Sequence, residues 1–227
     1  MRHRPLERAF VQRLACYLLT VTLRGEALDR RVDAVLDFLG SYFMQKSPVH
    51  RAAEEISQLL DEAGIDYAIA GALSLAVHGF VRATEDVDII VTREGLDRFK
   101  REWLGRGYVE LRPGGKPIRD TANNVKIDFL LAGEFPGDGK PKPVAIPEPA
   151  KVAIAGERYR VVSLPVLVEM KLASGMTAPH RMQDLTDVMR LVHIVKLGRD
   201  FAEQLDPYVR AKYLELWQLA QHADDDE

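Results

Sequence analysis

The chain has 227 residues, with 31 Lys and Arg against 34 Asp and Glu, giving a net charge of −3. Apolar residues make up 47% and charged residues 29%. That balance supports a packed core and excludes a wholly disordered chain, a collagen-like repeat and a globally basic nucleic-acid coat. The single cysteine, Cys16, excludes an intrachain disulfide scaffold and fits a reducing, cytoplasmic setting.

Residues 5–22 and 26–44 carry apolar positions at helical spacing (Phe10, Leu14, Tyr17, Leu18 and Val21, then Val32, Val35, Leu36 and Leu39), so the chain is expected to begin with a helical pair. Arg13 interrupts the first apolar run and no small-x-small site follows, so this stretch reads as part of the protein and not as a signal peptide. Residues 1–31 hold seven Arg against Glu7, Glu26 and Asp29, a local excess of +4. That excess is either a solvated helix surface or a patch for RNA or an acidic partner.

A third helix is expected over 49–63, with Ala53, Ile56, Leu59 and Leu60 inward and Gly64 as its stop. From residue 66 the texture changes. Residues 66–70 read as a buried strand, 72–78 as a helix, 84–92 as a second strand and 93–106 as a helix capped by Thr92. Two further strands follow at 108–111 and 124–131. Residues 133–149, rich in Gly, Pro and Lys, read as an exposed loop. A hairpin across Gly156 joins 151–155 to 158–162. Helices then cover 164–174, 180–197 and 206–221, the last with Asp206 as N-cap and Pro207 in the first turn, and the acidic tail 224–227 is solvated. The longest uncharged apolar stretch, Tyr67 to Val77, is far short of the roughly 20 residues a membrane-spanning helix needs, so no membrane partner is expected. Strands alternating with helices indicate an α+β or α/β sheet domain. The expected organisation is an N-terminal helical extension (1–46), a sheet-bearing core (47–162) and a C-terminal helical region (163–227).

The chemistry concentrates in Asp86-Val87-Asp88-Ile89-Ile90-Val91. Side chains alternate along a strand, so Asp86 and Asp88 point one way and Val87, Ile89 and Val91 the other. Two neighbouring carboxylates repel, and burial raises the cost. Either this edge faces water or a cation compensates it; carboxylate oxygens suit Mg2+ or Mn2+. The strand Val125–Leu131 contains one acid, Asp128. If it lies beside the first strand, three carboxylates converge, an arrangement that can hold two metal ions for phosphoryl transfer. Upstream, Gly71 sits where a strand turns into a helix, either as a packing glycine or as an approach for an anion such as a triphosphate.

Gly71-Ala72, His78-Gly79, Arg82-x-Thr84, Asp86-x-Asp88 and the later Asp128 together resemble the nucleotidyltransferase superfamily that includes polymerase β. The segment Tyr67–Val91 looks most like its small bacterial branch, which includes abortive-infection and toxin–antitoxin enzymes of the AbiEii kind. The resemblance covers roughly residues 65–197. It implies a polymerase β-like α+β core, with a short mixed sheet and flanking helices. The activity it implies is magnesium-dependent transfer of a nucleoside monophosphate from an NTP such as ATP to a hydroxyl acceptor: tRNA or another RNA, a protein, or a small molecule. A cognate toxin or antitoxin would be a partner. By the same resemblance Asp86, Asp88 and Asp128 are the metal ligands, with Asp128 also helping to deprotonate the acceptor. Gly71, Ala72, Ser74, Arg82, Lys171 and Asp184 would form the nucleotide site, with Lys171 among the catalytic residues. Ala72 departs from the Gly or Ser usual after the motif glycine and removes a hydroxyl contact, for which Ser74 could partly substitute.

Several residues keep two readings. Lys171, within an apolar helix, snorkels or aims at phosphates. Arg82 contacts a phosphate or pairs with Glu85 or Asp86. Asp184 and Asp187, one helical turn apart, hold Lys171 or Arg181 in place or form surface ion pairs. His78 closes a helix end next to Gly79 or serves as a base. Lys140, Lys142 and Lys151 hint at RNA. The rival to an enzyme is a non-catalytic nucleotide- or partner-binding module on the same fold.

Overall fold

The structure, a computed structural model, describes residues 40, 41 and 46–222. The chain divides into two compact units, Met1–Ser47 and Pro48–Glu227. The helix expected over 5–22, most of that over 26–44, Cys16, the arginine-rich segment and the acidic tail lie outside the described residues. The strands and helices that follow all belong to the second unit.

Among the described residues, seven strands form one mixed sheet in the order β3-β4-β5-β2-β1-β7-β6. The strands are β1 (Tyr67–Ile69), β2 (Asp86–Val91), β3 (Tyr108–Glu110), β4 (Ile118–Asp120), β5 (Val125–Leu131), β6 (Ala153–Ala155) and β7 (Arg160–Val162). Between them run α1 (Pro48–Glu62), α2 (Gly71–Val77), α3 (Arg93–Trp103) and the single turn α4 (Pro149–Val152). Behind them come α5 (Leu164–Thr177), α6 (Met182–Val195) and α7 (Pro207–His222). The α+β class expected from the sequence is the one observed. No helix among the described residues is long and apolar enough to cross a membrane.

The period-2 alternation of the central strands sorts the side chains into two cores. Val87, Ile89 and Val91 of β2 and Val125, Ile127, Phe129 and Leu131 of β5 enter the core built with α1 and α3. In that core Phe99 meets Tyr108 and Phe129, with ring centroids 5.2 and 5.7 Å apart. Helix α1 reaches it through Val49, Ala52, Ala53, Ile56 and Leu60, a stripe at helical spacing. Each large side chain buried this way contributes about 1.5–3 kcal/mol. Ala68 of β1 and Ala70, just after it, belong to the opposite face. With Ile90 they meet the second core, formed by α5, α6 and α7.

Four readings of the sequence need correction. The sequence reading missed β4, a three-residue strand set among Gly and Pro. The first residues of the expected hairpin fold instead as α4, because Pro149 stands at the start of a helical turn, where its missing N–H costs nothing. Residues 133–149 are not simply an exposed loop. Val144 and Ile146 are buried, and the Gly133 N–H donates to the Ile146 carbonyl at 2.8 Å. Lys142, taken as a hint of RNA contact, instead has a side chain only 5% exposed. Its ammonium donates to the Pro136 carbonyl and to Asp138, each at 2.6 Å. The expected Asp206 cap is present, its carboxylate accepting from the Tyr208 N–H at 2.8 Å.

Candidate active site

Strands β2 and β5 run parallel, with Asp86 in register with Lys126 and Asp88 with Asp128. Their apolar residues fill the α1/α3 core, so alternation turns Asp86, Asp88, Lys126 and Asp128 to the other face. There a cleft of about 680 Å³ opens, lined by all four. Asp128 is neither remote from Asp88 nor turned into the interior. Five acids (Asp86, Asp88, Asp128, Glu134 and Asp184) and five bases (Arg82, Lys116, Lys126, Lys171 and Arg181) line the cleft, so their formal charges cancel.

Gly71 closes one side of the cleft. Its φ is +59°, and a Cβ built there would sit 1.9 Å from Oδ2 of Asp88. Only glycine satisfies both the left-handed backbone and this approach. Asp88 is therefore wedged against backbone. Burial, with Asp86 and Asp128 alongside, pushes its carboxyl from 3.8 up to about 6, although Lys171 and Arg181 pull the other way. Asp86 is steadied by the Thr84 hydroxyl, which donates to its Oδ1 at 2.6 Å. Asp128 pairs with the Lys126 ammonium.

The opposite wall comes from α5 and α6. Lys171 is buried, and its Nζ donates to Asp184 Oδ1 at 2.9 Å and to Asp187 Oδ2 at 2.8 Å. The Ser174 hydroxyl donates to Asp184 at 2.7 Å. Asp187 is fully buried. Its Oδ1 accepts from Gln183 Nε2 at 2.8 Å and lies 3.2 Å from Arg82 Nε. Asp187 thus joins α5, α6 and the segment that leads into β2.

Not every residue of the expected nucleotide site reaches the cleft. Gly71, Arg82, Lys171 and Asp184 line it. Ser74 does not: it is buried, and its hydroxyl donates to the Val162 carbonyl at 3.4 Å, so it cannot stand in for the hydroxyl that Ala72 lacks. Ala72 itself packs in the interior. Arg82 takes Asp187, a partner the sequence reading did not name. Lys171, one reading of which aimed it at phosphates, is held between two carboxylates at the cleft wall. His78 meets the Val162 carbonyl at 2.7 Å. Sequence reasoning missed Lys126 and the central place of Asp187. Lys126 was within reach, since it lies two residues from Asp128 on one strand face.

Among the described residues, no group of three His, Cys, Asp or Glu side chains stands arranged to hold a metal ion. Asp86 and Asp128 are each engaged by a local partner, Thr84 and Lys126. The chemistry of the donors nonetheless fits a hard divalent cation. Asp86, Asp88 and Asp128 offer only carboxylate oxygens, and Asp88 is a carboxylate whose charge the protein leaves undercompensated.

No family model matches the chain, and no curated protein matches it. Among solved structures it resembles ANT(2'')-Ia in complex with adenylyl-2''-tobramycin, with 15% identity and a TM-score of 0.46, covering 72% of this chain and 94% of that one. It also resembles the solution structure of the antibiotic-resistance factor ANT(2'')-Ia, with 19% identity and a TM-score of 0.42, covering 74% and 92%. Likenesses this loose leave the functional reading to rest on the cleft itself.

Proposed function

We propose that the chain is a nucleotidyltransferase of the polymerase β-like kind, moving a nucleoside monophosphate from an NTP to a hydroxyl acceptor with a divalent cation. The observation that carries this reading is the parallel register of Asp88 and Asp128, with Asp86, on the floor of the cleft. Asp86, Asp88 and Asp128 would hold Mg2+ or Mn2+, which when bound neutralises phosphate charge and polarises the phosphoryl oxygens. Asp128 accepts the proton of the acceptor hydroxyl. The hydroxyl oxygen then bonds to the α-phosphorus, the bond from that phosphorus to the bridging oxygen of the β-phosphate breaks, and pyrophosphate departs. Arg82, Lys171 and Arg181 set positive charge along the wall where the phosphates lie, and Gly71 keeps the Asp88 carboxylate clear of a side chain. Asp184 and Asp187 fix the Lys171 ammonium, a positioning role.

For the acceptor we favour a small hydroxyl compound over RNA. The acids and bases of the cleft lining are equal in number, so once an NTP is seated no positive charge is left over to hold an RNA backbone as well, and Lys142 is committed to Pro136 and Asp138. A role in a toxin–antitoxin pair and a cytoplasmic location fit this reading without being carried by the cleft. The engagement of Asp86 by Thr84 and Asp128 by Lys126 favours the rival, a non-catalytic nucleotide-binding module.

One experiment separates the two. Full-length protein and Asp128→Asn are incubated with Mg2+, α-labelled NTPs and either pooled hydroxyl compounds or total RNA. Magnesium-dependent pyrophosphate release and labelling of a small compound, both lost in the variant, are expected. Binding of NTP without any release supports the rival. Label appearing in RNA would overturn the acceptor assignment alone.

A further inference from the structure

Lys126 has no part in the reaction as described, yet it stands at the centre of the acidic floor. It lies two residues from Asp128 on β5, so the two share a face, and its backbone is in register with Asp86 on β2. Its ammonium is paired with Asp128 Oδ2, and both side chains line the cleft. The lysine side chain is 39% exposed and that of Asp128 24%. Lys126 is therefore a cation seated among carboxylates, on a flexible stem with open space beside it.

We infer that Lys126 competes with the divalent cation for Asp128, and must leave that carboxylate before three acids can share an ion. This rests on the metal reading proposed above and extends it. A divalent ion on the same carboxylate would lie within a few ångströms of the ammonium, and like charges at that separation repel strongly. The lysine therefore swings aside when the ion is bound. A triphosphate entering the cleft supplies the negative charge to receive it. The metal is accordingly held weakly by the free protein and more firmly when nucleotide is present. Lys126 thereby links nucleotide occupancy to completion of the metal site.

The test is a Mn2+ titration of the full chain, followed by calorimetry, for wild type, Lys126→Met and Lys126→Arg without nucleotide. Lys126→Met removes the competing charge and keeps most of the stem. It is expected to bind Mn2+ roughly fivefold tighter or more, the scale on which a partly exposed ion pair acts. Lys126→Arg keeps the charge and is expected to match wild type. Lys126→Gln serves as a second neutral replacement and should move the same way, with melting curves confirming that each variant is folded. Equal Mn2+ affinity in wild type and both neutral variants would overturn the competition while leaving the metal reading in place. A separate melting series with a non-hydrolysable ATP analogue, with and without Mg2+, addresses that underlying reading. If the analogue stabilises equally in both and no form binds Mn2+, the metal site falls and the competition with it.

Discussion

Replacing Asp88 by Asn removes a charge while keeping the shape that fits against Gly71. Burial and the neighbouring Asp86 and Asp128 hold this carboxyl at about 6, against 3.8 in the open. A gap of about two units corresponds to about 3 kcal/mol between the two protonation states. That is an upper figure, because the carboxylate still meets the cleft and solvent screens part of it. The folded-state value is raised, so ionisation costs the folded state. The wild type is unaffected below about pH 4, loses stability as the pH rises through about 6, and stays weakened above it. The neutral amide of the variant carries no such cost. In EDTA, Asp88→Asn should therefore be more stable than wild type by about 1–3 kcal/mol near pH 8 and equal to it near pH 4. Urea unfolding followed by tryptophan fluorescence at both pH values, with matched slopes, reads the difference. Adding Mg2+ with NTP should narrow the gap, since only the wild type gains a cation on that carboxylate, and nucleotidyl transfer should be lost in the variant. A difference that does not change with pH, or a variant less stable than wild type near pH 8, would refute the electrostatic account of the acidic floor.

Two more substitutions probe the walls. Gly71→Ala puts a Cβ where Asp88 Oδ2 now lies, at a φ of +59°. The backbone term alone is about 1–2 kcal/mol, and the carboxylate must also shift. Both stability in urea and NTP turnover should fall, and a loss of stability with unchanged turnover would reduce Gly71 to a backbone role. Asp187→Ala takes the buried carboxylate from Lys171 and Arg82 together, and the expected loss is about 3–5 kcal/mol. A melting curve indistinguishable from wild type would contradict the place given to Asp187 here.

The sequence made the acids legible because strand alternation is a rigid rule. Asp86 and Asp88 had to share a face, and a second apolar strand with one acid inside it was the natural neighbour. The strand–helix alternation narrowed the class to α/β or α+β, and the family resemblance chose α+β. What the sequence could not display was long-range partnership. Parallel pairing of β1 with β7 joins segments far apart in the chain, and no local pattern announces it. The same holds for Arg82 with Asp187. Ser74 misled because its place in the chain, two positions after Ala72, says nothing of the Val162 carbonyl that takes its hydroxyl in the core. The stretch 133–149 misled because its Gly, Pro and Lys content suggests solvent, while Val144 and Ile146 anchor it inward. Strand β4 is too short, and too hemmed by Pro117 and the glycines before it, to show a period at all.

The opposition of Asp88 and Asp128 across adjacent strands also separates two kinds of change. Interstrand spacing, about 4.8 Å, is set by backbone hydrogen bonding, so the distance between these acids is indifferent to whatever happens at the rim. The rim itself is drawn from connecting segments, around Lys116 and from Glu134 to Gly137. Drift in those segments can retune which molecules gain admission while the acidic floor keeps its dimensions. For a nucleotidyltransferase of the proposed kind, new acceptor preferences would thereby be open to the scaffold without reinvention of its chemistry.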